Sequence, residues 1–298
     1  MAQTFLPLLG VRIVSLALNL PGPAALARLR ALGARCTKIE PPAGDPMRGY
    51  CEAAYAQMHR GVRITVLDLK TPAGQRRLQR VLAGADVLLT SFRPSALAKL
   101  GLDVATLQAR HPRLCIVRIF GAAGARAEEA GHDLTYQAEA GLIQGDALPP
   151  SLLADMAGAL LATEAVLTGL LQRAATGRGT VHDVALADAA EWLARPCAWG
   201  LTAPGALLGG GYAGYRIYRC ADGRVALAAL EPHFVDRLGQ LTSLGPLAPA
   251  DCLQPSTATK LAAWFAQRTC AELEALGRQS DMPWAIWKDH TYANANHS

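Results

Sequence analysis

The sequence predicts an α/β fold in which a mostly parallel sheet forms a large domain and a smaller α+β domain follows it. Short apolar runs alternate with helical segments over the first two-thirds of the chain, which is the pattern of βαβ units. A stretch rich in Gly, Pro, Ala and Leu then interrupts this pattern, and a β-hairpin signal follows it. With 298 residues, 51% of them hydrophobic, the chain can bury a sizeable core.

The first part of the chain carries the predicted sheet. Runs rich in Val, Ile and Leu and bounded by turn residues predict strands at residues 11–18, 36–40, 64–69, 86–90 and 114–119. Residues 23–32, 72–82, 95–100 and 104–110 are predicted to form helices, and Gly33 is a typical residue after the end of the first. This alternation is Rossmann-like, and ligands of such sheets bind beyond the carboxyl ends of the strands.

The remaining elements complete the large domain and form the small one. A long apolar helix opens near Asp155 and ends near Arg173, and a strand at 181–186 and a helix at 188–199 follow. The predicted large domain is residues 1–200, the linker 201–214 and the small domain 215–298. In the small domain we expect a hairpin of residues 215–220 and 224–230, then helices at 233–241, 256–267 and 271–280.

Composition excludes several classes of protein. The net charge of +5 comes from scattered arginines without a basic run, so we expect no nucleic-acid partner. Seven cysteines without a C-x-x-C pair favour reduced thiols in a cytoplasmic protein and predict no metal site. The longest apolar stretch, residues 156–171, is interrupted by Glu164 and is interpreted as a buried helix too short to cross a membrane. The first residues lack a charged signal-peptide region.

Two stretches carry the candidate chemistry. Gly131-His132-Asp133 stands at the start of a predicted helix, and Asp155 stands at the mouth of the long apolar helix. Helix N-termini favour anions and developing negative charge. Two titratable groups at two such positions can face one substrate carbon, one giving a proton while the other takes one. By spacing alone, a structural histidine and a plain N-cap aspartate remain the more ordinary interpretations.

Motifs along the chain resemble those of the family III CoA-transferases and their relatives, the α-methylacyl-CoA racemases. The resemblance runs from about residue 8 to residue 273. It rests on Leu20-Pro-Gly-Pro, Leu32-Gly-Ala, Lys38-Ile-Glu-Pro-Pro, Gly44-Asp-Pro, Arg60-Gly-x-Arg, Leu67-Asp-Leu-Lys, Ala85-Asp-Val-Leu, Phe92-Arg-Pro, Gly177-x-Gly-Thr, Asp183-Val and Ala221-Asp-Gly-Arg.

Three positions decide which branch the chain resembles more. Gly131-His132-Asp133 has the racemase form, where the transferases carry Gly-Tyr-Asp. Leu153-Ala-Asp155-Met-Ala-Gly158 matches the catalytic aspartate that both branches share, and Leu230-Glu231-Pro232 resembles a racemase segment. The resemblance implies that His132 and Asp155 are the two acid/base groups and that Glu231 orients His132. The expected activity is epimerisation at the α-carbon of a 2-methyl-branched acyl-CoA.

The resemblance also implies how the thioester is held. It implies no metal and no redox cofactor, because coenzyme A is part of the substrate, and a homodimer whose subunits interlock. No membrane partner is expected. The residues expected to contact the CoA thioester are Arg60, Arg63, Val66, Leu67, Asp68, Leu69, Arg93, Gly131, Asp133 and Tyr136.

Two alternatives remain open from the sequence. In a CoA-transferase, Asp155 would attack the acyl-CoA as a nucleophile, and Gln137-Ala138 resembles the transferase form. A non-catalytic binder of CoA thioesters would hold the thioester in the same cleft but catalyse no reaction. This alternative rests on departures from the family pattern. The chain looks C-terminally shortened after Arg278, and its loops 122–130 and 143–150 look shorter than those of its relatives. Ser95 replaces a glycine of the family pattern, and Pro41 replaces an arginine of the racemases.

Overall fold

The computed structural model describes residues 5–288. The chain divides into two compact units, Met1–Ala194 and Arg195–Ser298. The helix predicted at 188–199 extends across the boundary between these two units, since it is observed at Leu186–Ala198. The linker proposed at 201–214 stays a prediction.

Six parallel strands form the sheet of the first unit. They lie in the order β3-β2-β1-β4-β5-β6, the arrangement of doubly wound nucleotide-binding folds. The chain order reverses between β1 and β4, which makes that point a switch point. The strands are β1 (Arg12–Ser15), β2 (Arg35–Glu40), β3 (Arg63–Val66), β4 (Val87–Thr90), β5 (Cys115–Phe120) and β6 (Val181–Ala185).

Helices cover both faces of this sheet. Neighbouring strand residues point to opposite faces, so Ile13 packs with one core and Val14 with the other. The first core includes residues of α1, α8 and α9, and the second includes residues of α4, α5 and α6. The helices are α1 (Pro21–Ala31), α2 (Met47–Tyr50), α3 (Glu52–Met58), α4 (Pro72–Leu82), α5 (Pro94–Lys99), α6 (Val104–Arg110), α7 (Asp133–Glu139), α8 (Leu153–Thr176) and α9 (Leu186–Ala198).

The predicted α/β class is confirmed, although β1 ends at Ser15 rather than residue 18 and helices α2 and α3 were not predicted. The third strand ends at Val66 rather than residue 69, because Leu67 turns into the core and Asp68 opens a turn by accepting the Lys70 N–H. The apolar helix α8 has 24 residues, so the expectation that this segment is too short for a membrane was wrong. By length and composition alone α8 could cross a membrane, but Ala154, Ala162 and Val166 on this helix pack in the first core.

The second unit contains a three-stranded antiparallel sheet. The predicted hairpin is present as β7 (Tyr215–Cys220) and β8 (Gly223–Ala228), and β9 (Trp284–Trp287) pairs with β8. Strand β9 follows Arg278, after which the chain was expected to lack the last strand-and-helix portion of its relatives, so that expectation was wrong for the strand. Phe265 and Tyr218 stack in the core with a ring distance of 5.0 Å. The helices are α10 (Pro232–Leu241), α11 (Pro255–Ala266) and α12 (Cys270–Ser280).

Candidate active site

A cleft of about 500 Å³ opens at the carboxyl ends of the central strands in the first unit. It lies at the switch point, because the residues that follow β1, β4, β5 and β6 all line it. Ligand sites of open parallel sheets form at this place. Its lining includes Asn19, Met47, Tyr50, Arg93, Gly121, Gly131, His132, Asp133, Tyr136, Leu152 and Asp155.

His132 is held at the start of α7 by its main chain. It is the N-cap residue, its N–H donates to the Thr135 hydroxyl at 3.1 Å, and that hydroxyl donates to the His132 carbonyl at 2.8 Å. Neither of these two bonds uses the imidazole. The His132 side chain is exposed and lines the cleft, so it is available to a ligand.

Asp155 lies in the first turn of α8 and lines the same cleft. The two candidate acid/base groups therefore share one cavity. Burial, and secondarily the negative charge of Asp133, raise the pKa of the Asp155 carboxyl to about 7. A carboxyl group in this state is partly protonated at neutral pH, so it can either donate or accept a proton.

Asp133 is buried and its carboxylate joins the two helix starts. One oxygen accepts the Asp155 backbone N–H at 3.0 Å, and the other accepts the Gln137 side-chain amide. The Asp155 N–H is one of the helix-start donors that have no partner within α8. Asp133 therefore caps α8 from outside that helix. It lines the cleft, as expected for a CoA contact, but its two oxygens are already bonded within the protein.

Tyr136 packs against the backbone below the cleft. A Cβ added to Gly121 or Gly131 would lie 2.1 Å and 2.4 Å from the Tyr136 hydroxyl oxygen, so neither position accepts a side chain without rearrangement. Burial, and then the Asp155 charge, raise the pKa of the Tyr136 phenol. The hydroxyl therefore stays protonated at neutral pH. The packing of Tyr136 therefore requires glycine at position 131, whether or not a ligand contacts it.

The other predicted CoA contacts are dispersed. Arg93, at the start of α5, is exposed and lines the cleft. Arg63 begins β3 and so lies at the opposite, amino end of the sheet, and Arg60 precedes it in a turn. Neither is among the residues that line the cleft. Their roles stay predictions.

The segment 66–69 also lies outside the lining of the cleft. Val66 is exposed at the end of β3, whereas the Leu67 side chain is buried in the core and Leu69 packs against that core. Asp68 accepts the Lys70 N–H at 3.0 Å. Contact of this segment with a thioester stays a prediction.

Glu231 belongs to the second unit. It is exposed and is the N-cap residue of α10, where its carbonyl accepts the N–H groups of Phe234 and Val235. The side chain is not used in this cap. The orienting role of Glu231 toward His132 stays a prediction.

A buried ionic cluster that was not predicted from the sequence adjoins the cleft through Asp45. Lys38 on β2 is fully buried and pairs with Asp45, while its ammonium lies 2.9 Å from His59 Nε2 and 3.4 Å from Glu40. Glu40 in turn accepts the Tyr55 hydroxyl at 2.7 Å. The sequence did contain an indication of this cluster. Lys38 and Glu40 lie two residues apart in β2, a strand of a sheet whose two faces are both covered, where charged residues are unusual.

The start of α1, directly after β1, differs from the corresponding segment of dinucleotide-binding folds. Those folds bind the diphosphate on free N–H groups at the start of the first helix. Here Pro21 and Pro23 carry no N–H, and the Ala24 N–H donates to Leu20. A Cβ on Gly22 would lie 2.1 Å from the Ala17 side chain, so this glycine serves helix–strand packing. The site therefore lacks a diphosphate cradle of that type.

Two groups of side chains within residues 5–288 are close enough to share a cation. In one, Glu40, Asp45 and His59 already surround the Lys38 ammonium, which supplies the positive charge. In the other, the thiols of Cys220 and Cys270 lie 3.6 Å apart beside Asp222. That carboxylate already accepts the Cys270 N–H and pairs with a lysine.

Comparison with known proteins decides the family. A family model described as CoA-transferase family III matches residues 8–297. The chain belongs to CoA-transferase family III. The resemblance found in the sequence motifs is confirmed, and it extends beyond residue 273.

Relatives from both branches of this family are similar to the chain. The human α-methylacyl-CoA racemase is 32% identical in an alignment of length 285 that covers 88% of this chain and 73% of the relative. The succinate–glutarate CoA-transferase of Agrobacterium fabrum is 33% identical in an alignment of length 205 that covers 61% of this chain and 51% of the relative. Sequence similarity alone therefore does not separate the two activities.

Solved structures in the family have the same fold. A hypothetical protein from Mycobacterium tuberculosis, Rv3272, matches with a TM-score of 0.81 and 27% identity and covers 96% of this chain and 86% of its own. A CAIB/BAIF family protein from Brucella suis matches with a TM-score of 0.80 and 26% identity over 94% of this chain and 83% of its own. The α/β fold predicted from sequence is therefore the family's fold.

Proposed function

We propose that this chain epimerises the α-carbon of a 2-methyl-branched acyl-CoA by proton transfer between His132, Asp155 and the substrate. The observation that supports it most is that both side chains line one cleft and that the pKa of Asp155 is raised to about 7. One group removes the α-proton from one face and the other donates a proton to the opposite face. For the other enantiomer the two roles are exchanged.

Removal of an α-proton places negative charge on the thioester oxygen, so the cleft must supply donors to it. The Asp155 N–H is already bonded to Asp133. The first bond within α8 runs from the Met156 N–H to Leu152, which leaves the N–H groups of Leu153 and Ala154 without a partner in that helix. Leu153 and Ala154 are not among the residues that line the cleft, so we propose only that the donor to the developing oxyanion comes from the backbone at this helix start, beside Leu152 and Asp155. Arg93 at the rim is then the cation placed for the anionic part of the substrate.

CoA transfer with Asp155 as nucleophile is the second candidate, supported by the similarity to transferases. Its other support in the sequence was Gln137. The Gln137 side chain is fully buried and donates to Asp133 and to the Ser151 carbonyl at 3.1 Å. It is not among the residues that line the cleft, so its position favours a structural role.

Incubating the protein with a single enantiomer of a 2-methylacyl-CoA in deuterated water separates the candidates. Epimerisation predicts deuterium at the α-carbon and formation of the opposite enantiomer, measured by mass spectrometry and chiral chromatography. A transferase instead exchanges the thioester with an added carboxylic acid and gives an enzyme acyl adduct that hydroxylamine traps. Binding without deuterium uptake and without exchange would contradict both enzymatic proposals.

The proposed acid predicts a specific pH dependence. Asp133→Asn removes a negative charge beside Asp155, so ionisation of Asp155 becomes less costly and its pKa falls. In the direction in which Asp155 donates the proton, activity is lost above its pKa. We therefore expect the alkaline limb of kcat/KM to move to lower pH in this variant.

The matched control is Glu139→Gln, which neutralises an exposed carboxylate paired with Arg126, outside the lining of the cleft. Its pH profile should coincide with that of the wild type. An alkaline limb that stays in place in Asp133→Asn, or moves to higher pH, would show that Asp133 does not tune Asp155.

A further inference from the structure

The buried cluster around Lys38 reaches the cleft through Asp45. Both the Asn19 N–H, at 3.0 Å, and the Met47 N–H, at 2.9 Å, donate to one oxygen of the Asp45 carboxylate. Asn19, in the loop after β1, and Met47, the first residue of α2 after β2, both line the cleft. A single carboxylate therefore ties together two segments of one cleft wall.

The hydrogen bond to Asp45 stabilises an unusual backbone conformation at Asn19. Its φ angle of 64° lies in the left-handed region, which is unfavourable for residues other than glycine, although asparagine tolerates it better than most. The charged acceptor on its N–H offsets this cost. The neighbouring Leu18 N–H donates to the Ser91 hydroxyl at 3.1 Å, so loss of the Asp45 acceptor should loosen the loop at Asn19 rather than unfold it.

The other oxygen of Asp45 is held from beneath by the fully buried Lys38. The Lys38 ammonium can only donate, so His59 Nε2, 2.9 Å away, must accept and the His59 ring must be neutral. His59 Nδ1 then carries the proton and donates to the Tyr55 carbonyl at 2.7 Å. Every partner of the ammonium is thus fixed, and so is the position of the Asp45 carboxylate.

We propose that Asp45 is a positioning residue for the substrate cleft, in which its Lys38-anchored carboxylate fixes the wall formed by Asn19 and Met47. This inference rests on the proposed function for its ligand, an acyl-CoA thioester. Asp45 is buried and does not line the cleft, so it acts through these two backbone segments. The wall contributes to binding rather than to proton transfer, and its loss therefore raises KM more than it lowers kcat.

Glu40 supplies a matched comparison within the same cluster. It is also a buried carboxylate beside Lys38, but its partners are Lys38 and the Tyr55 hydroxyl. It has no bond to the cleft wall among the hydrogen bonds seen in residues 5–288. Glu40→Gln therefore disturbs the buried charge without releasing Asn19 or Met47.

The test combines amide hydrogen exchange with steady-state kinetics of the full chain. In Asp45→Ala we expect the Asn19 and Met47 amides to exchange at least about 10-fold faster, and KM for a 2-methylacyl-CoA to rise about 10-fold with kcat within about twofold of the wild type. Asp45→Asn keeps an acceptor oxygen and should restore most of the protection. If Asp45→Ala does not fold, the triple variant Lys38→Met/Glu40→Gln/Asp45→Ala, which leaves none of these three charges in the cluster, is measured instead.

The two readouts separate this proposal from the proposed function. Wild-type protection and KM in Asp45→Ala, or equal losses in Glu40→Gln, would overturn the positioning role and leave the epimerase proposal standing. Loss of amide protection in Asp45→Ala alone, in a protein that neither exchanges the α-proton nor transfers the thioester, would support the positioning of the wall. The same result would overturn the proposed reaction.

Discussion

Changing His132 to alanine should lower α-proton exchange by about 10²- to 10⁴-fold, the usual contribution of a positioned acid or base. The Asp155→Asn change should do the same, because an amide of equal size cannot exchange the proton. His132 makes its cap bonds with main-chain atoms, so its replacement should leave the start of α7 intact. Deuterium uptake at the α-carbon, followed by mass spectrometry, measures both effects.

The pair of variants also distinguishes the two reactions. A transferase that uses Asp155 as nucleophile should lose activity in Asp155→Asn and keep it in His132→Ala. Suitable controls are His111→Ala, a half-buried histidine directly after the end of α6, and Asp188→Asn, an aspartate in the first turn of α9. Neither lines the cleft. Full exchange activity in both His132→Ala and Asp155→Asn would refute two-base chemistry.

Replacing Lys38 by methionine should destabilise the protein by about 3–5 kcal/mol, because removal of one member of a buried ion pair leaves the other charge unpaired. Here Asp45 and Glu40 would both lose their buried cation, and His59 Nε2 would lose its donor. Urea unfolding followed by circular dichroism measures the free energy of unfolding. The variant should unfold at a markedly lower urea concentration.

Lys70→Met is the matched control, since this lysine is exposed in the turn before α4. Its effect should stay within about 0.5 kcal/mol, as is usual for surface changes. If Lys38→Met and Lys70→Met unfolded at the same urea concentration, Lys38 would not be the central cation of a buried cluster.

Most of the fold follows from local patterns in the sequence. The predicted helices at 72–82 and 104–110 match α4 and α6, because proline at the start of the first and Asp103 before the second mark their N-termini. The hairpin of β7 and β8 was equally clear. Strand β9 was missed, since its apolar run is short and its partner β8 lies far away in the sequence.

For the site, the sequence supplied the residue types and their family motifs, and the fold supplied their environment. The motifs selected His132 and Asp155, and the α/β pattern predicted the edge of the sheet where both line the cleft. The pKa of Asp155 near 7 could not be predicted from sequence, because it results from burial and from Asp133, a residue 22 positions away.

The sequence by itself determined the α/β class, the family and the identity of the candidate acid and base, because these depend on periodicity and on short motifs. The tertiary structure alone decided that Lys38 is neutralised by Asp45, and that Asp45 holds Asn19 and Met47 at the cleft. Burial and charge pairing arise only when β1, β2 and the loops after them come together, so the charged residues of β2 could indicate a buried cluster but not its partners.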